Sequence, residues 1–501
     1  MIPITHLAGQ KIAVFGLGLS GIATAKALRA GGAEPQVWDD GEKGRAAAIE
    51  AGFEPVDLRE ADWREFAALV LAPGVPLTHP EPHWTALRAR AAGIEVIGDT
   101  ELFCRERRAL GSKAKIVAIT GTNGKSTTTA LTAHLIASAG RRVAMGGNIG
   151  TAVLALEPFA DDLTYVIEYS SYQIDLTPTL DATAACLLNV TPDHLDRHGT
   201  IDHYAEVKSR IFNRLGAGET AVIGVDDPIS AAIADRLTGN VKRISVLEHF
   251  PAKRMQVCVE KMRQNKEIEP RSDAIGTEEA LCPVREGVYA HDGALIKVEG
   301  GEALPPVSLA GIGSLRGAHN AQNAAAAFAL CRAVGLSRAD IAAGLKSFPG
   351  LAHRMEQVGR LGRVLFINDS KATNADAAAK ALASFDTIYW IAGGLAKAGG
   401  LAGLESYYPK IRHAYFVGDA AAAFSRSVEG VFPSRISGTI EAAVADAARD
   451  ALASGDAEPV VLLSPACASF DQFLNFEVRG NAFRAAVAAL PGVTMRSTES
   501  P

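Results

Sequence analysis

The sequence has no excess of positive charge. Its 501 residues carry 50 Lys and Arg against 56 Asp and Glu, for a net charge of −6, which leaves no electrostatic footprint for nucleic acid. Small anionic ligands are not excluded, because they need only local positive sites. Paired cysteines are also missing. Cys104, Cys186, Cys258, Cys282, Cys331 and Cys467 are scattered and form no C-x-x-C pair. That argues against a zinc site or redox pair and for reduced thiols in a cytosolic protein. No apolar run approaches the ~20 residues of a membrane span. The opening MIPITHLAGQKIAVFG has no basic segment ahead of a long apolar stretch, so no signal peptide is expected. Short-period repeats and long low-complexity tracts are absent too. The expected location is the cytoplasm.

What is present is an ordinary globular composition, 48% hydrophobic and 21% charged, over a length that suggests about three domains. Short apolar runs alternate with helical patterns. KIAVFG reads as a buried strand, and IATAKALRAGG as a helix stopped by Gly31 and Gly32. EPQVWDD, ALVLAPG and GIEVIGD read as further strands. Such alternation predicts a parallel sheet covered on both faces. CRERRALGSKAK, residues 104–115, reads as a polar linker. The pattern restarts at KIVAIT, with strands at TYVIEY and AACLLNV, and again near SFPGLAHR, with strands at VLFIND, IYWIAGG, AYFVGD and PVVLLSP. Residues 251–280 are charged and weakly periodic, and read as a surface excursion. Three α/β units, broken near residues 105 and 350, are expected.

Two glycine turns stand out. In AITGTNGKST a strand feeds Gly121, Thr122, Asn123, Gly124, Lys125, Ser126 and Thr127, which open a helix. Successive backbone N–H groups and a helix N-terminus attract phosphate oxygens. Lys125 adds a cation, and Ser126 or Thr127 can hold Mg²⁺. The full phosphate-loop pattern has glycine where Ile119 stands, so this loop is a variant. The earlier GLGLSG matches G-x-G-x-x-G as Gly16, Gly18 and Gly21, and Asp39 ends the next strand near the offset of a ribose-binding acid. Taken alone it reads as a nicotinamide site. Some other anionic nucleotide-like ligand at the helix N-terminus is the better reading, and close strand–helix packing alone is the alternative.

Chemistry-bearing residues gather at strand ends. Glu168 ends an apolar strand, where a carboxylate is costly without a cation, and Mg²⁺ accepts carboxylate and phosphate oxygens. LLNVTPDHLDRHG places Asn189, Asp193, His194, Asp196 and His198 in one short loop. Lys208, in YAEVKSRIF, reads on composition as a surface helix lysine. FINDSKATN ends another strand with Asn368, Asp369, Ser370, Lys371, Thr373 and Asn374, GGLAK contributes Lys397, and SPACASFDQF contributes Ser464 and Ser469. Ser370 and Ser469 could simply be helix N-caps. Parallel sheets bind ligands at such ends.

In set and order, the motifs GLGLSG, APGVPLTHP, GDTELFCRE, AITGTNGKST, GGNIG, EYSSYQID, LNVTPDHLDRH, GAHNAQNAAAA, LAHRME, INDSKATN and LLSPACASFDQFLNFEVRGNAFR resemble the ATP-dependent Mur ligases. NDSKATN and the C-terminal serine motif are most like the members that add D-glutamate. The resemblance covers nearly the whole chain. It implies a three-domain α/β fold: a Rossmann-like N-terminal domain (1–105) for the UDP substrate, a central P-loop ATPase-like domain (106–349), and a Rossmann-like C-terminal domain (350–501) contributing to ATP and D-glutamate contacts. By motif match Gly18, Leu19, Ser20 and Asp39 would lie along the UDP, with Asn148 near the sugar-linked part. ATP would be held by the phosphate loop and by Asn320, Asn323, Arg354 and Asp369. Two Mg²⁺ ions are implied, with Ser126, Glu168, His194 and Lys208 as ligands, the lysine as a carbamate. Lys125, Glu168, His194 and Lys208 would carry catalysis. Lys371, Thr373, Lys397, Ser469 and Phe476 would surround D-glutamate. GGLAKAGG departs from the family in lacking acidic and serine residues around its lysine.

The implied partners are UDP-N-acetylmuramoyl-L-alanine and D-glutamate, with no nucleic acid and no membrane insertion, and the protein is expected to be a monomer. The rival readings are another amino-acid ligase of the Mur and folylpolyglutamate superfamily, or an NAD-dependent oxidoreductase resting on GLGLSG and Asp39 alone.

Overall fold

Among the described residues three sheets, two of them in one packing unit, organise the chain. The structure is a computed structural model. It describes residues 1–246, 286–291, 293–299, 302–397 and 399–496, and the charged 251–280 stretch lies outside the described residues. By contacts, Met1–Ala310 with Ala321–Lys346 form one unit, and Gly311–Asn320 with the chain from Ser347 onward form the other.

The first unit begins with a four-stranded parallel sheet in the order Glu34–Trp38, Lys11–Phe15, Phe66–Leu71, Glu95–Ile97. Its second sheet has parallel strands Val143–Gly147, Thr164–Glu168, Lys115–Thr120, Ala184–Leu187 and Thr220–Gly224, then Asn240–Val246 and Gly287–His291. An antiparallel ribbon from Ala294–Glu299 edges it. KIVAI is fully buried from Ile116 to Ile119, as continuous apolar strands of a two-faced parallel sheet must be. The helix Lys125–Ser138 covers that sheet with Leu131, Leu135 and Ile136, each contributing roughly 1.5–3 kcal/mol by burial.

The linker reading of residues 104–115 is corrected over its first half. Asp99–Ala109 is a helix with Leu102, Phe103 and Cys104 fully buried in a core common to both sheets. Phe103 packs against Phe159 and Tyr165 at 5.0 and 5.1 Å. Its charges are satisfied by distant partners. Glu106 accepts from Thr5 N (2.9 Å) and His6 N (3.1 Å), and Arg107 and Arg108 pair with Asp181 at 2.6 and 2.7 Å. Acids in the first turn and arginines in the last also suit the helix dipole.

In the second unit the parallel order is Ser434–Gly438, Ile411–Val417, Ile388–Gly393, Val460–Leu463, Val364–Asn368. Antiparallel Glu356–Leu361 and Thr494–Met495 complete that edge. Trp390 is fully buried at its centre.

Among the described residues no helix is long and apolar enough to cross a membrane. The described cysteines, Cys104, Cys186, Cys331 and Cys467, are free and buried.

Candidate active site

The two glycine turns differ in what surrounds them. Gly16 has φ +91°, and a side chain on it would meet the Ala72 methyl at 2.5 Å. One on Gly21 would lie 1.9 Å from the Gly16 carbonyl oxygen. These glycines therefore allow strand and helix to touch. Gly18 is the N-cap of helix Leu19–Ala30 and has open space at its Cβ. Leu19 is 87% exposed beside it. The Asp39 carboxylate accepts from Leu17 N and Gly41 N, both at 2.7 Å, so it shapes the turn itself. Its neighbour Asp40, unremarked in the sequence, accepts from Trp84 Nε1 (2.9 Å) and Arg59 Nη2 (2.5 Å). Burial opposes the Asp40 charge, yet these donors hold its pKa below the usual carboxylate range. Ser20 lines a small cavity with Ala72, Pro73 and the buried Asp99, whose pKa burial pushes up to about 6.

The second loop is held by the loop after strand Ala184–Leu187. Asn189 Oδ1 accepts from Asn123 N (2.9 Å), and Thr122 Oγ1 accepts from Thr191 N (3.0 Å). Gly124, φ +86°, is the N-cap of helix Lys125–Ser138, and a side chain there would lie 2.3 Å from Asn323 Oδ1. That same oxygen accepts from Thr128 Oγ1 (3.2 Å), which puts Asn323 at the mouth of the phosphate helix. Lys125 Nζ donates to the carbonyls of Gly121 and Thr122 (2.9 Å each). Ser126 is buried and Thr127 half-buried in the first turn.

Glu168 ends the strand paired directly with Lys115–Thr120, opposite Ile119, and is 2% exposed. Its Oε1 accepts from Asn148 Nδ2 (2.7 Å), while Oε2 has no hydrogen-bond partner. A buried orphan carboxylate oxygen is costly and is the donor a hard cation takes. Asn148, expected near the sugar, thus packs against the acid.

The surface reading of Lys208 is overturned: it is 1% exposed, and its Nζ donates to Gly121 O (3.0 Å). Burial drives its pKa well below the usual lysine value, and Lys125 adds to this against the pull of Asp193 and Glu168. Lys208 Nζ also lies over the Tyr204 ring at 4.6 Å. Tyr204 OH is 3.3 Å from Thr122 Oγ1, and its ring is 6.4 Å from that of His194. His194 is left-handed at φ 52°, with Nε2 3.5 Å from Asp193 Oδ2. His198, by contrast, is buried with Nε2 2.9 Å from Ser171 Oγ, and burial lowers its pKa to about 4. The structure therefore gathers residues 121–127, Glu168, His194, Lys208 and Asn323. The connecting Tyr172 and Tyr204 had no sequence signal, since their spacing is that of ordinary helix aromatics.

In the second unit, Lys371 Nζ lies 4.4 Å over the Phe476 ring. The GGLAK and SPACAS segments meet through the Leu395–Ala468 bridge, bringing exposed Lys397 and buried Ser469 into adjoining loops. Thr373 N donates to Lys371 O (2.8 Å). Ser370 is not an N-cap: its Oγ donates to Phe476 O (2.8 Å) and accepts from Arg479 Nε (3.0 Å). The caps are Asn374 and Asn475. Ser469 caps no described helix either. Arg479, unremarked in the sequence, also donates to Ser370 O and Cys467 O, tying the two loops together. Burial pushes Asp369 up to about 7, against hydrogen bonds from Ser464 Oγ (3.0 Å) and Met355 N (3.2 Å). Asn320, 4% exposed, donates to Arg316 O (2.9 Å), and Arg354 is half-buried.

Parallel sheets with a phosphate loop beside a buried acid define the class as a nucleotide-using α/β enzyme. The Mur ligase middle domain matches residues 119–331, and the Mur ligase glutamate ligase domain matches 353–467. The chain is 56% identical over 495 residues to the UDP-N-acetylmuramoylalanine–D-glutamate ligase of Chelativorans sp. strain BNC1, covering 99% of each. It is 55% identical over 504 residues to the ligase of the same name from Brucella suis biovar 1, covering 100% of each. MurF from Acinetobacter baumannii shares the fold at TM-score 0.53, with 17% identity and 88% of each chain covered. UDP-N-acetylmuramate–alanine ligase from Thermotoga maritima does so at 0.53, with 15% identity and 94% and 98% covered. The chain belongs to the Mur ligase family, and with that come its ATP-dependent ligase chemistry and its place in peptidoglycan synthesis.

Proposed function

We propose that this protein joins D-glutamate to the L-alanyl carboxylate of UDP-N-acetylmuramoyl-L-alanine at the expense of ATP. The carboxylate oxygen attacks the γ-phosphorus, ADP leaves, and an acyl phosphate forms. The amine of D-glutamate then attacks the acyl carbon, inorganic phosphate leaves, and an amide bond remains. Phosphorylation is needed because a free carboxylate would have to expel oxide.

The observation that carries this reading is the partnerless Glu168 Oε2 beside the GTNGKST loop, since a carboxylate left bare there fits a cation shared with phosphate oxygens. The residues that would hold Mg²⁺ at two sites are Ser126, Glu168, His194 and Lys208. Bound there, Mg²⁺ would neutralise the phosphate charge that two approaching anions must overcome. Lys208 suits a carbamate because burial lowers its pKa and so favours the unprotonated amine, the nucleophilic form that adds to CO₂. Lys125 and the loop N–H groups supply fixed positive potential at the γ-phosphate. Asn320, Asn323, Arg354 and Asp369 would position the nucleotide.

Residues 1–105 serve as the UDP-substrate domain, with Gly18, Leu19, Ser20 and Asp39 along the ligand, joined there by Asn148 of the next domain. Residues 106–349 serve as the ATP domain. Residues 350–501 supply Lys371, Thr373, Lys397, Ser469 and Phe476 to D-glutamate. The protein acts as a cytoplasmic monomer. An amino-acid panel with phosphate release as readout tests the substrate. D-Glutamate should give turnover well above every other amino acid, and equal turnover with L-glutamate or L-lysine would reassign the enzyme within its family.

A further inference from the structure

Arg197 belongs to none of the roles above, yet its guanidinium is spent in an unusual place. Its Nη1 donates to Gly74 O (2.8 Å), and its Nη2 to Val75 O (2.9 Å) and Pro73 O (3.4 Å). These carbonyls belong to the loop that follows strand Phe66–Leu71. That loop sits on the first glycine turn, where Ala72 abuts Gly16, and it shares a small cavity with Ser20. At its other end Arg197 is part of the second site. Its backbone N donates to His194 O (3.0 Å) within the short helix Leu195–His198. The guanidinium lies 4.4 Å over the Tyr172 ring, and that ring meets His194 edge-on at 5.1 Å. A continuous set of contacts therefore runs from the glycine turn through residues 72–75 to Arg197, Tyr172 and His194. A planar fork suits three neighbouring carbonyls and an aromatic face at once, where a lysine would bring a point charge without the fixed geometry.

We propose that Arg197 is a positioning residue that couples the two nucleotide sites: a UDP ligand seated on the glycine turn fixes the 72–75 loop, and through Arg197 fixes the ring of His194 toward the triphosphate. The inference rests on the UDP and ATP assignments proposed above. Ordering the shared element once lowers the cost of ordering it for the second ligand, so each ligand should tighten the other by the same factor.

The test is calorimetry on the full chain. UDP-N-acetylmuramoyl-L-alanine is titrated with and without a saturating non-hydrolysable Mg-ATP analogue, in wild type, Arg197→Ala, Arg197→Lys and Tyr172→Leu. Wild type should show at least about fivefold tightening. Arg197→Ala should bind each ligand alone within about twofold of wild type, with the tightening abolished. Arg197→Lys, a point charge without the fork, should recover only part of it. Tyr172→Leu breaks the same link from the other end, so it should lose coupling even if Arg197→Ala proves unstable by thermal melting. Full tightening in Arg197→Ala, or in Tyr172→Leu, overturns the proposal, as does its absence in wild type. Failure of wild type to bind either ligand alone overturns the underlying site assignment as well.

Discussion

The first glycine turn and the second have nearly the same alphabet but opposite electrostatics. Around Gly16 and Gly21 the glycines remove side chains so that strand, turn and helix touch, and the nearby acid, Asp39, is consumed by the turn's own N–H groups. Around Gly121 and Gly124 there is a lysine, a row of hydroxyls, a second buried lysine and an acid with a bare oxygen. The first turn is organised by close packing. The second gathers cations, hydroxyls and a bare carboxylate oxygen, the set that the proposed triphosphate role requires. A Gly-rich fingerprint therefore identifies a phosphate-sized space, and the charges brought to it from other strands decide its use.

The largest effect that would test this contrast is Lys125→Ala. Phosphate release should fall by about 10³-fold or more, while UDP-N-acetylmuramoyl-L-alanine still binds within about twofold by calorimetry. Equal loss of both would erase the distinction between the turns. Next, Glu168→Gln should lower kcat by about 100-fold and raise the Mg²⁺ concentration needed for half-maximal rate, because it removes the bare carboxylate oxygen. An unchanged Mg²⁺ requirement would detach Glu168 from the cation.

A smaller effect separates packing from binding within the first turn. Gly21→Ala must push a methyl into the Gly16 carbonyl and should cost about 1–3 kcal/mol by thermal or denaturant unfolding. Gly18→Ala enters open space and should cost about 1 kcal/mol or less, as a weaker N-cap. Equal costs would mean that close approach does not explain Gly21.

The smallest is a pH effect. Asp369 titrates at about 7 in the fold against 3.8 as the ordinary value. It holds its proton more tightly folded than unfolded, so its contribution to stability is complete below about 4 and is lost as pH rises to about 7. Asp369→Asn should flatten the decline in stability across that window. An unchanged pH profile would mean that the carboxyl is not held protonated.

The parallel strands were legible because two-faced burial writes continuous apolar runs such as KIVAI, and the strand–turn–helix at GTNGKST because its geometry admits few residue types. Lys208 was not legible. One lysine on a short helix looks solvated until it is seen donating to the Gly121 carbonyl and the Thr120 hydroxyl, 87 and 88 residues away. The polar stretch at 104–109 misled for the same reason, since Glu106 finds Thr5 and the arginines find Asp181 only after folding. Tyr172, Tyr204 and Arg197 connect residues of the first unit, and Arg479 ties loops of the second, through long-range contacts that local spacing does not record.

The claim that a triphosphate at the central loop turns an inert acid into an acyl donor can be read in the released phosphate. UDP-N-acetylmuramoyl-L-alanine with its terminal carboxylate labelled in heavy oxygen is turned over with ATP and D-glutamate, and the inorganic phosphate is analysed by mass. The account predicts that one labelled oxygen passes to each phosphate released. Turnover with unlabelled phosphate would contradict it.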